Sequence, residues 1–413
     1  MSTGSTKNVL FVVDNLGLSG KTRTMAFVAT HLDPRRFRSV VCTFADETSI
    51  LAGQLNANGI PVHHIACRDG IDWTAPLRLA RLMRLCRCDV VQCINPRPML
   101  YGGLAAGLAG VRGTVGFLSA FACQVPDRTY QFLPQPLSTT SHRNIYRNRI
   151  AAHSMRYLVT VSAPLGKRFC EYNGLPADKL RVIPYGADFS AVESVSDHEA
   201  NDLRRTLGCH SGEILIGSVG RLVEQKDYST QLRAFAMAVA EFPGLRMVLA
   251  GDGPLKADLL RMAKELNISR QVSFIGHCEL VPAFLRCLDI FVLASKFEPF
   301  GVALLEAKAA GVAIVATRVN EVPEILSEGT SGLLAPAKDP ETMSRLFLSL
   351  ARDPEMRARL GRQARVEARA QNSLESVVHK YQELYDASLG DPRSGRMPGT
   401  KENTKTCQQS VVR

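Results

Sequence analysis

Residues 290–306 have the sequence Ile-Phe-Val-Leu-Ala-Ser-Lys-Phe-Glu-Pro-Phe-Gly-Val-Ala-Leu-Leu-Glu. The stretch opens with apolar residues, passes through a polar loop with proline and glycine, and ends in an apolar segment of good helix formers. A continuously apolar run is typical of a strand that is covered on both faces of a parallel sheet. The stretch therefore predicts a strand, a loop and a helix, which is the repeating unit of an α/β protein.

The same unit recurs in both directions along the chain, interrupted at residues 119–140 by a proline-containing loop and at 190–212 by a linker with one short polar helix. A basic helix is expected at His142–Tyr157. We predict an α/β fold with two doubly wound domains, residues 1–190 and 191–371, and a disordered tail at 390–413. The predicted strands are Val9–Val13, Ser39–Phe44, Val62–Ile65, Asp89–Ile94, Gly113–Leu118, Leu158–Val161, Leu180–Ile183, Ile214–Gly220, Arg246–Ala250, Val272–Ile275, Ile290–Leu293 and Val312–Thr317.

Composition excludes several classes of protein. Apolar residues make up 46% of the 413 residues and charged residues 22%, which is ordinary for a globular protein and argues against wholesale disorder. No apolar stretch approaches the roughly 20 residues of a membrane span, and the polar N-terminus lacks the pattern of a signal peptide, so a cytoplasmic location is expected. The 11 cysteines include no Cys-x-x-Cys pair, which favours buried, reduced thiols over a zinc site.

Two cations follow the first predicted strand of the second domain. Arg221 comes directly after Val219-Gly220, and Lys226 lies five residues further on. An arginine and a lysine just past the carboxyl end of a parallel strand can clamp a diphosphate. Taken alone, they could equally be surface charges beside a turn.

Glycines and carboxylates follow the later strands. Gly251 and Asp252 lie in the segment Ala-Gly-Asp-Gly-Pro, which permits close backbone approach to a ligand, although an ordinary turn would look the same. Gly301 opens a helix whose backbone amides could hold phosphate oxygens. Glu298 precedes this helix and Glu306 lies within it, so both carboxylates can face one cleft, although a helix cap and a surface charge would give the same pattern.

These motifs resemble the retaining glycosyltransferases of family 4, the glycosyl transferases group 1, which have the GT-B fold. The resemblance rests on Val219-Gly-Arg221 with Lys226, on Ala250-Gly-Asp-Gly-Pro254, on Phe274-x-Gly276, and on Glu298 with Glu306. It covers residues 210–389 closely and is weaker in the first half, where Pro184-Tyr-Gly-Ala-Asp188 agrees with it. The resemblance implies an acceptor-binding first domain, a nucleotide-sugar-binding second domain, and a last helix at 372–389 that crosses back onto the first.

The resemblance also implies the chemistry. Arg221 and Lys226 would neutralise a diphosphate leaving group without a metal ion, in keeping with the absence of Asp-x-Asp from the sequence. Glu298 would bind hydroxyls of the transferred sugar, and Glu306 those of the ribose. The donor would be a nucleotide sugar such as a UDP- or GDP-sugar, and the acceptor a glycan or lipid-linked hydroxyl in polysaccharide or lipopolysaccharide synthesis. The implied donor-binding residues are Gly20, Gly220, Gly251, Asp252, Gly276, Phe300, Gly301, Val302 and Glu306.

The chain departs from the family pattern at three places. Asn320-Glu321 stands where a glycine pair is common, and Ser19-Gly20-Lys21-Thr22 replaces a Gly-Gly-Ala-Glu loop. A histidine common in the family is missing from Gly116-Phe-Leu-Ser119. These departures do not change the residues that the resemblance implies to bind the diphosphate. They affect what the resemblance implies about acceptor binding and about the identity of the sugar.

Three other functions compete with sugar transfer. A non-catalytic GT-B partner protein would be expected to lack the cations or the carboxylates, and this chain has both. Asn15 to Thr22 ends in the Gly-Lys-Thr of a P-loop, but Asn15 stands where an NTPase needs glycine. Nucleic-acid binding is disfavoured because the basic segments lack interleaved aromatic residues.

The net charge of +11 lies entirely in residues 1–190, which have 22 Lys and Arg against 11 Asp and Glu. The remaining residues have 28 of each. The charge is either a solvated helix face or a surface that docks on an anionic membrane leaflet, which would make the protein peripheral to the cytoplasmic membrane face. Eight arginines form two groups, namely Arg78, Arg81, Arg84 and Arg87, and Arg143, Arg147, Arg149 and Arg156.

Overall fold

The structure is a computed structural model that describes residues 6–17, 20–45, 49–68, 72–118, 142–298 and 300–390. Within these residues, two parallel sheets with helices on both faces form two Rossmann-like domains, so the predicted fold class is confirmed. The inner strands of each sheet are built mainly from apolar residues with almost no exposed surface, because helices cover both sides of each sheet, whereas most edge strands are partly exposed.

The described residues of the first domain form seven strands and six α-helices. Its strands are β1 Lys7–Val13, β2 Phe37–Thr43, β3 Val62–His64, β4 Val90–Ile94, β5 Gly113–Phe117, β6 Tyr157–Thr160 and β7 Leu180–Val182. Its helices are α1 Gly20–His31, α2 Ile50–Ala57, α3 Ala75–Leu85, α4 Pro96–Ala109, α5 His142–His153 and α6 Ala163–Asn173. The strand order is β3-β2-β1-β4-β5-β6-β7, and α3, α4 and α5 pack side by side on one face of the sheet.

The second domain has a six-stranded sheet. Its strands are β8 Ile214–Val219, β9 Leu245–Ala250, β10 Val272–Gly276, β11 Ile290–Leu293, β12 Ala313–Thr317 and β13 Leu333–Ala335. The helices that follow β7 are α7 Phe189–Glu193, α8 Asp197–Thr206, α9 Tyr228–Glu241, α10 Lys256–Glu265, α11 Val281–Arg286, α12 Val302–Ala310, α13 Val322–Ile325, α14 Pro340–Arg352, α15 Pro354–Asn372 and α16 Leu374–Leu389. The strand order is β10-β9-β8-β11-β12-β13, so β8 and β11 are neighbours.

Helix α16 packs on the first domain, against α1, β4 and β5. The buried Tyr385 hydroxyl donates a hydrogen bond to the Gln92 side chain of β4, and Lys7 pairs with Asp386. The segment that leads from the first domain to the second contains Ala187, and it lies beside the segment that returns before α16. The Ala187 amide donates a hydrogen bond to the Asn372 carbonyl of the returning segment at 2.8 Å. Two adjacent chain segments therefore connect the domains.

Three expectations differ from the structure. The basic helix ends at His153 instead of Tyr157, because Tyr157 already belongs to β6. The linker at 190–212 contains the predicted short polar helix, α8, which starts with a capping box of Ser196 and Glu199, but it also contains the end of α7, which was not expected. Strand β13, Leu333–Ala335, was not predicted from the sequence.

The loop at 119–140 and nearly all of the tail that begins at Gly390 lie outside the described residues. No helix in the described part of the chain is both long and apolar enough to cross a bilayer.

Candidate functional site

Three loops of the second domain are bound to each other through their backbones at the carboxyl edge of the sheet. The Gly220 amide donates to the Ala250 carbonyl at 2.9 Å, and the Gly251 amide donates to the Gly276 carbonyl at 2.6 Å. A Cβ atom on Gly251 would lie 1.9 Å from the Gly220 carbonyl oxygen, and its φ is +146°. Only glycine fits at Gly251, so this residue allows the loops after β8 and β9 to approach each other closely.

We expect Gly251→Ala to lower the free energy of unfolding by about 2 kcal/mol, because either the backbone or the Gly220 loop must move. Chemical denaturation measures this change. The matched control is Gly107→Ala in α4, where a Cβ atom meets nothing within 4 Å. The control should be neutral or stabilising. Equal stability of the two variants would contradict the role assigned to the Gly251 contact.

Lys226 and Glu298 form an ion pair at this edge. Lys226 ends a short 3₁₀ turn after β8, and its Nζ lies 2.5 Å from Glu298 Oε2. The Ser295 hydroxyl donates to the same oxygen at 3.0 Å. The two charged side chains are only 18% and 7% exposed, so the pair is largely shielded from water. The site thus holds a cation and a carboxylate together after two neighbouring strands, β8 and β11.

Arg221 has a different environment. Its side chain is exposed, and it forms no ion pair with any described carboxylate. An exposed guanidinium at the carboxyl edge of the sheet is available to bind an anion.

The Asp252 side chain interacts with residues next to it in the sequence. Its carboxylate accepts a hydrogen bond from the Gly253 amide at 2.7 Å and lies 3.2 Å from Lys256 Nζ. The amide and Lys256 together lower the pKa of this carboxyl. Its side chain therefore stabilises the start of α10.

Gly301 and Phe300 shape the entry into α12. Gly301 has φ +77° and is the N-cap residue of the helix, a conformation that favours glycine. The Phe300 ring is buried and packs edge-on against Tyr185 of the segment between the domains, with ring centroids 4.9 Å apart. The Phe300 side chain therefore belongs to the contact between the domains, while the start of α12 faces the first domain.

Glu306 lines a cavity between the domains. The cavity has a volume of about 630 Å³ and is also lined by α1, α2, Val302 and residues 185–188. Arg23 of α1 lies 3.9 Å from the Glu306 carboxylate. Burial raises the pKa of Glu306, and Arg23 offsets part of that shift. Gly20 also lines the cavity and packs so closely on Val302 that a Cβ atom would lie 2.8 Å from Val302 Cγ2.

The predicted site residues thus fall into three groups. Glu298 and Lys226 are paired and lie outside the lining of the cavity, whereas Glu306, Val302 and Gly20 line it. Gly220 and Arg221 follow β8, Gly251 follows β9, and Gly276 is the last residue of β10.

Glu321 joins the domains, a role that sequence reasoning missed. Its side chain is buried, and it accepts from the Ser162 hydroxyl at 2.8 Å and from Arg168 Nη2 at 3.0 Å. Ser162 is the N-cap residue of α6 in the first domain, so the positive end of that helix also faces the carboxylate. The sequence marked Glu321 as a departure from the family pattern, but its partners are more than 150 residues away.

Asn320 and Lys21 also have structural partners. Asn320 has φ +43°, which keeps the conformation that glycine favours, and its side-chain oxygen accepts from the Glu298 amide at 3.4 Å. Lys21, the residue that a P-loop would place on a phosphate, donates to Asn95 at 2.8 Å. Asn95 in turn donates to Asp14 at 3.0 Å, and burial lowers the pKa of Lys21.

Comparison with known proteins agrees with this architecture. The family model described as glycosyltransferase family 4 matches residues 18–191, and the model of the glycosyl transferases group 1 matches residues 199–367. A crystal structure of Anabaena Alr3699/HepE in complex with UDP is similar in fold, with a TM-score of 0.79 at 19% identity over 92% of this chain and 100% of that one.

Two curated relatives match over part of the chain. N-acetyl-alpha-D-glucosaminyl L-malate synthase of Bacillus anthracis is 30% identical over 199 residues, which are 48% of this chain and 52% of the relative. The lipopolysaccharide core biosynthesis glycosyltransferase LpsE of Rhizobium meliloti is 32% identical over 170 residues, 41% of this chain and 49% of the relative. The chain thus spans about half the length of the curated relatives it matches. Since the two family models cover both domains in succession, the chain belongs to glycosyltransferase family 4 and has the GT-B fold.

Proposed function

We propose that the protein transfers a sugar from a nucleotide-sugar donor, such as a UDP- or GDP-sugar, to a hydroxyl of a glycan or lipid-linked acceptor. The Lys226–Glu298 pair, at the carboxyl edge of the second sheet and beside the exposed Arg221, is the observation that carries the proposal. A cation for the diphosphate and a carboxylate for sugar hydroxyls are what a donor site needs at adjacent positions. LpsE supports a role in polysaccharide or lipopolysaccharide synthesis, since its name places that relative in lipopolysaccharide core synthesis.

The proposed reaction retains the configuration of the sugar and needs no metal ion. The bond between the anomeric carbon and the diphosphate oxygen breaks, and its electron pair leaves with the diphosphate. The acceptor oxygen bonds to the same carbon from the same face, and its proton passes to the departing phosphate oxygen. Lys226 and Arg221 stabilise the charge that develops on the diphosphate, which is the part a metal ion would otherwise play.

Turnover of nucleotide sugars tests this function. The wild type should release nucleoside diphosphate from at least one donor of a panel with UDP, GDP, ADP and dTDP sugars, in buffer with excess EDTA. Proton NMR of the product should show the anomeric configuration of the donor. Inverted product would overturn retention alone, a requirement for Mg²⁺ would overturn metal independence, and no turnover with any donor and acceptor would count against transfer.

The raised pKa of Glu306 predicts how stability depends on pH. A carboxyl whose pKa is raised by folding binds its proton more tightly in the folded protein, so its contribution to stability is fully present below its usual pKa of 4.5 and is lost as pH rises through the folded value. Glu306→Gln removes this loss, so the wild type should lose stability relative to the variant between pH 4.5 and neutrality. Denaturation at a series of pH values measures the difference. Glu265→Gln, at an exposed position in α10, should show none, and parallel profiles for wild type and Glu306→Gln would refute the assignment.

A further inference from the structure

The outer face of α3, α4 and α5 combines positive charge with exposed apolar side chains. The sequences of these three helices contain seven arginines and not one Asp or Glu, although Arg97 pairs with Asp14 and Arg78 with Asp72 outside the helices. The helices pack side by side on the face of the first sheet opposite α1 and α16, so their outer sides form one surface. We call this surface the basic–apolar face, and it includes Trp73, which immediately precedes the N-cap residue of α3.

Large apolar side chains project from this face. Trp73, just before α3, is 72% exposed, and Leu77 and Leu85 on the outer side of α3 are 61% and 73% exposed. Leu104 and Leu108 of α4 and Ile150 of α5 are exposed as well. Single exposed leucines are ordinary, but several on adjacent helices together indicate a surface that meets something apolar.

Three arginines among these side chains have no acidic partner in the described part of the chain. Arg78 pairs with the buried Asp72 at 2.7 Å, but Arg81, Arg84 and Arg149 are exposed and form no ion pair with any carboxylate that the structure describes. Arg84 donates instead to the Leu108 carbonyl, which places a cation of α3 beside an exposed leucine of α4. The charge of Arg81, Arg84 and Arg149 is therefore uncompensated by the carboxylates of the described residues, and a surface that matches it is anionic.

We propose that the basic–apolar face docks on an anionic lipid bilayer. Trp73, Leu77 and Leu85 enter the interfacial region, where amphipathic tryptophan rings and apolar side chains are favoured, and the arginines contact lipid headgroups. Helix α3 starts at the carboxyl edge of the first sheet, the edge that carries the cleft, so docking through Trp73 holds the mouth of the cleft near the bilayer. The docking itself does not depend on the proposed function, whereas a lipid-linked acceptor would arrive at that position.

The single tryptophan of the chain makes the proposal directly measurable. Full-length protein is mixed with phosphatidylcholine vesicles that either contain or lack phosphatidylglycerol. We expect binding only to the anionic vesicles, weakening at high salt, together with a blue shift of Trp73 emission and its quenching by brominated lipid. Binding that ignores anionic lipid or salt would overturn the electrostatic part. Binding without a change in Trp73 emission would show that another surface docks.

Reversing the charge of three arginines tests whether vesicles bind to the basic–apolar face or respond only to the positive charge of the protein as a whole. Arg81→Glu with Arg84→Glu and Arg149→Glu should weaken vesicle binding by about 100-fold, at roughly fivefold for each cation near the surface. The matched control reverses Arg233, Arg270 and Arg362, exposed arginines of the second domain, and should bind vesicles nearly as well as the wild type. Circular dichroism confirms that both triple variants are folded. Equal losses in the two variants, or failure of the wild type to bind any vesicle while it binds an acidic protein, would overturn the bilayer assignment.

Discussion

Lys226→Ala should lower kcat/KM for sugar transfer by about a thousandfold, or about 4 kcal/mol of transition-state stabilisation. Lys226 lies in a shielded site 2.5 Å from Glu298, where its interaction with a diphosphate is stronger than it would be in water. Its removal also leaves the Glu298 carboxylate uncompensated, so a diphosphate would meet repulsion in place of attraction. Steady-state kinetics with the preferred donor measures the effect.

A control substitution at another lysine and a double variant test whether the effect is specific to Lys226. Lys264→Ala, at an exposed position of α10, should leave kcat/KM unchanged. Lys226→Ala combined with Glu298→Gln should bind nucleoside diphosphate more tightly than Lys226→Ala alone, because the glutamine is uncharged. A Lys226→Ala enzyme within tenfold of wild-type kcat/KM would show that Lys226 does not contact the leaving group.

Glu321→Lys should destabilise the contact between the domains by about 4 kcal/mol. The new ammonium would be buried at a position only 3% exposed, beside Arg168 and the positive end of α6. Glu321→Gln should cost much less, since a glutamine oxygen can still accept from Ser162 or Arg168. Chemical denaturation measures the free energies, and small-angle X-ray scattering should show a more open molecule for the lysine variant.

Glu279→Lys is the control for this prediction, because it makes the same charge change at an exposed loop position. It should be close to neutral in stability and in scattering. If Glu321→Lys is as stable and compact as Glu279→Lys, then Glu321 does not hold the domains together.

Much of the fold was predictable because parallel strands that are covered on both faces are continuously apolar. All twelve predicted strands occur, with ends within two residues of the expected positions. The exception, β13, has three residues and pairs only with β12 at the edge of the sheet.

The site was only partly predictable, because spacing places residues on loops but does not pair them. Lys226 and Glu298 each follow a strand, yet they meet because β8 and β11 are adjacent in the sheet. Asp252 was expected to bind the nucleotide sugar, and spacing alone did not show that its carboxylate also accepts a hydrogen bond from the Gly253 amide. Glu321 was noticed only as an unusual residue, and its partners in α6 become visible once the two domains face each other.

The most direct test of the donor site is the binding of nucleotide sugars measured by isothermal titration calorimetry. The same panel of donors is titrated into the wild type, Lys226→Ala, Glu298→Ala and the Lys264→Ala control. A site built on Lys226 and Glu298 predicts saturable binding of at least one nucleotide sugar by the wild type and the control, and a large loss of affinity in the other two variants. Absence of binding by the wild type, or equal affinity in all four proteins, would contradict it.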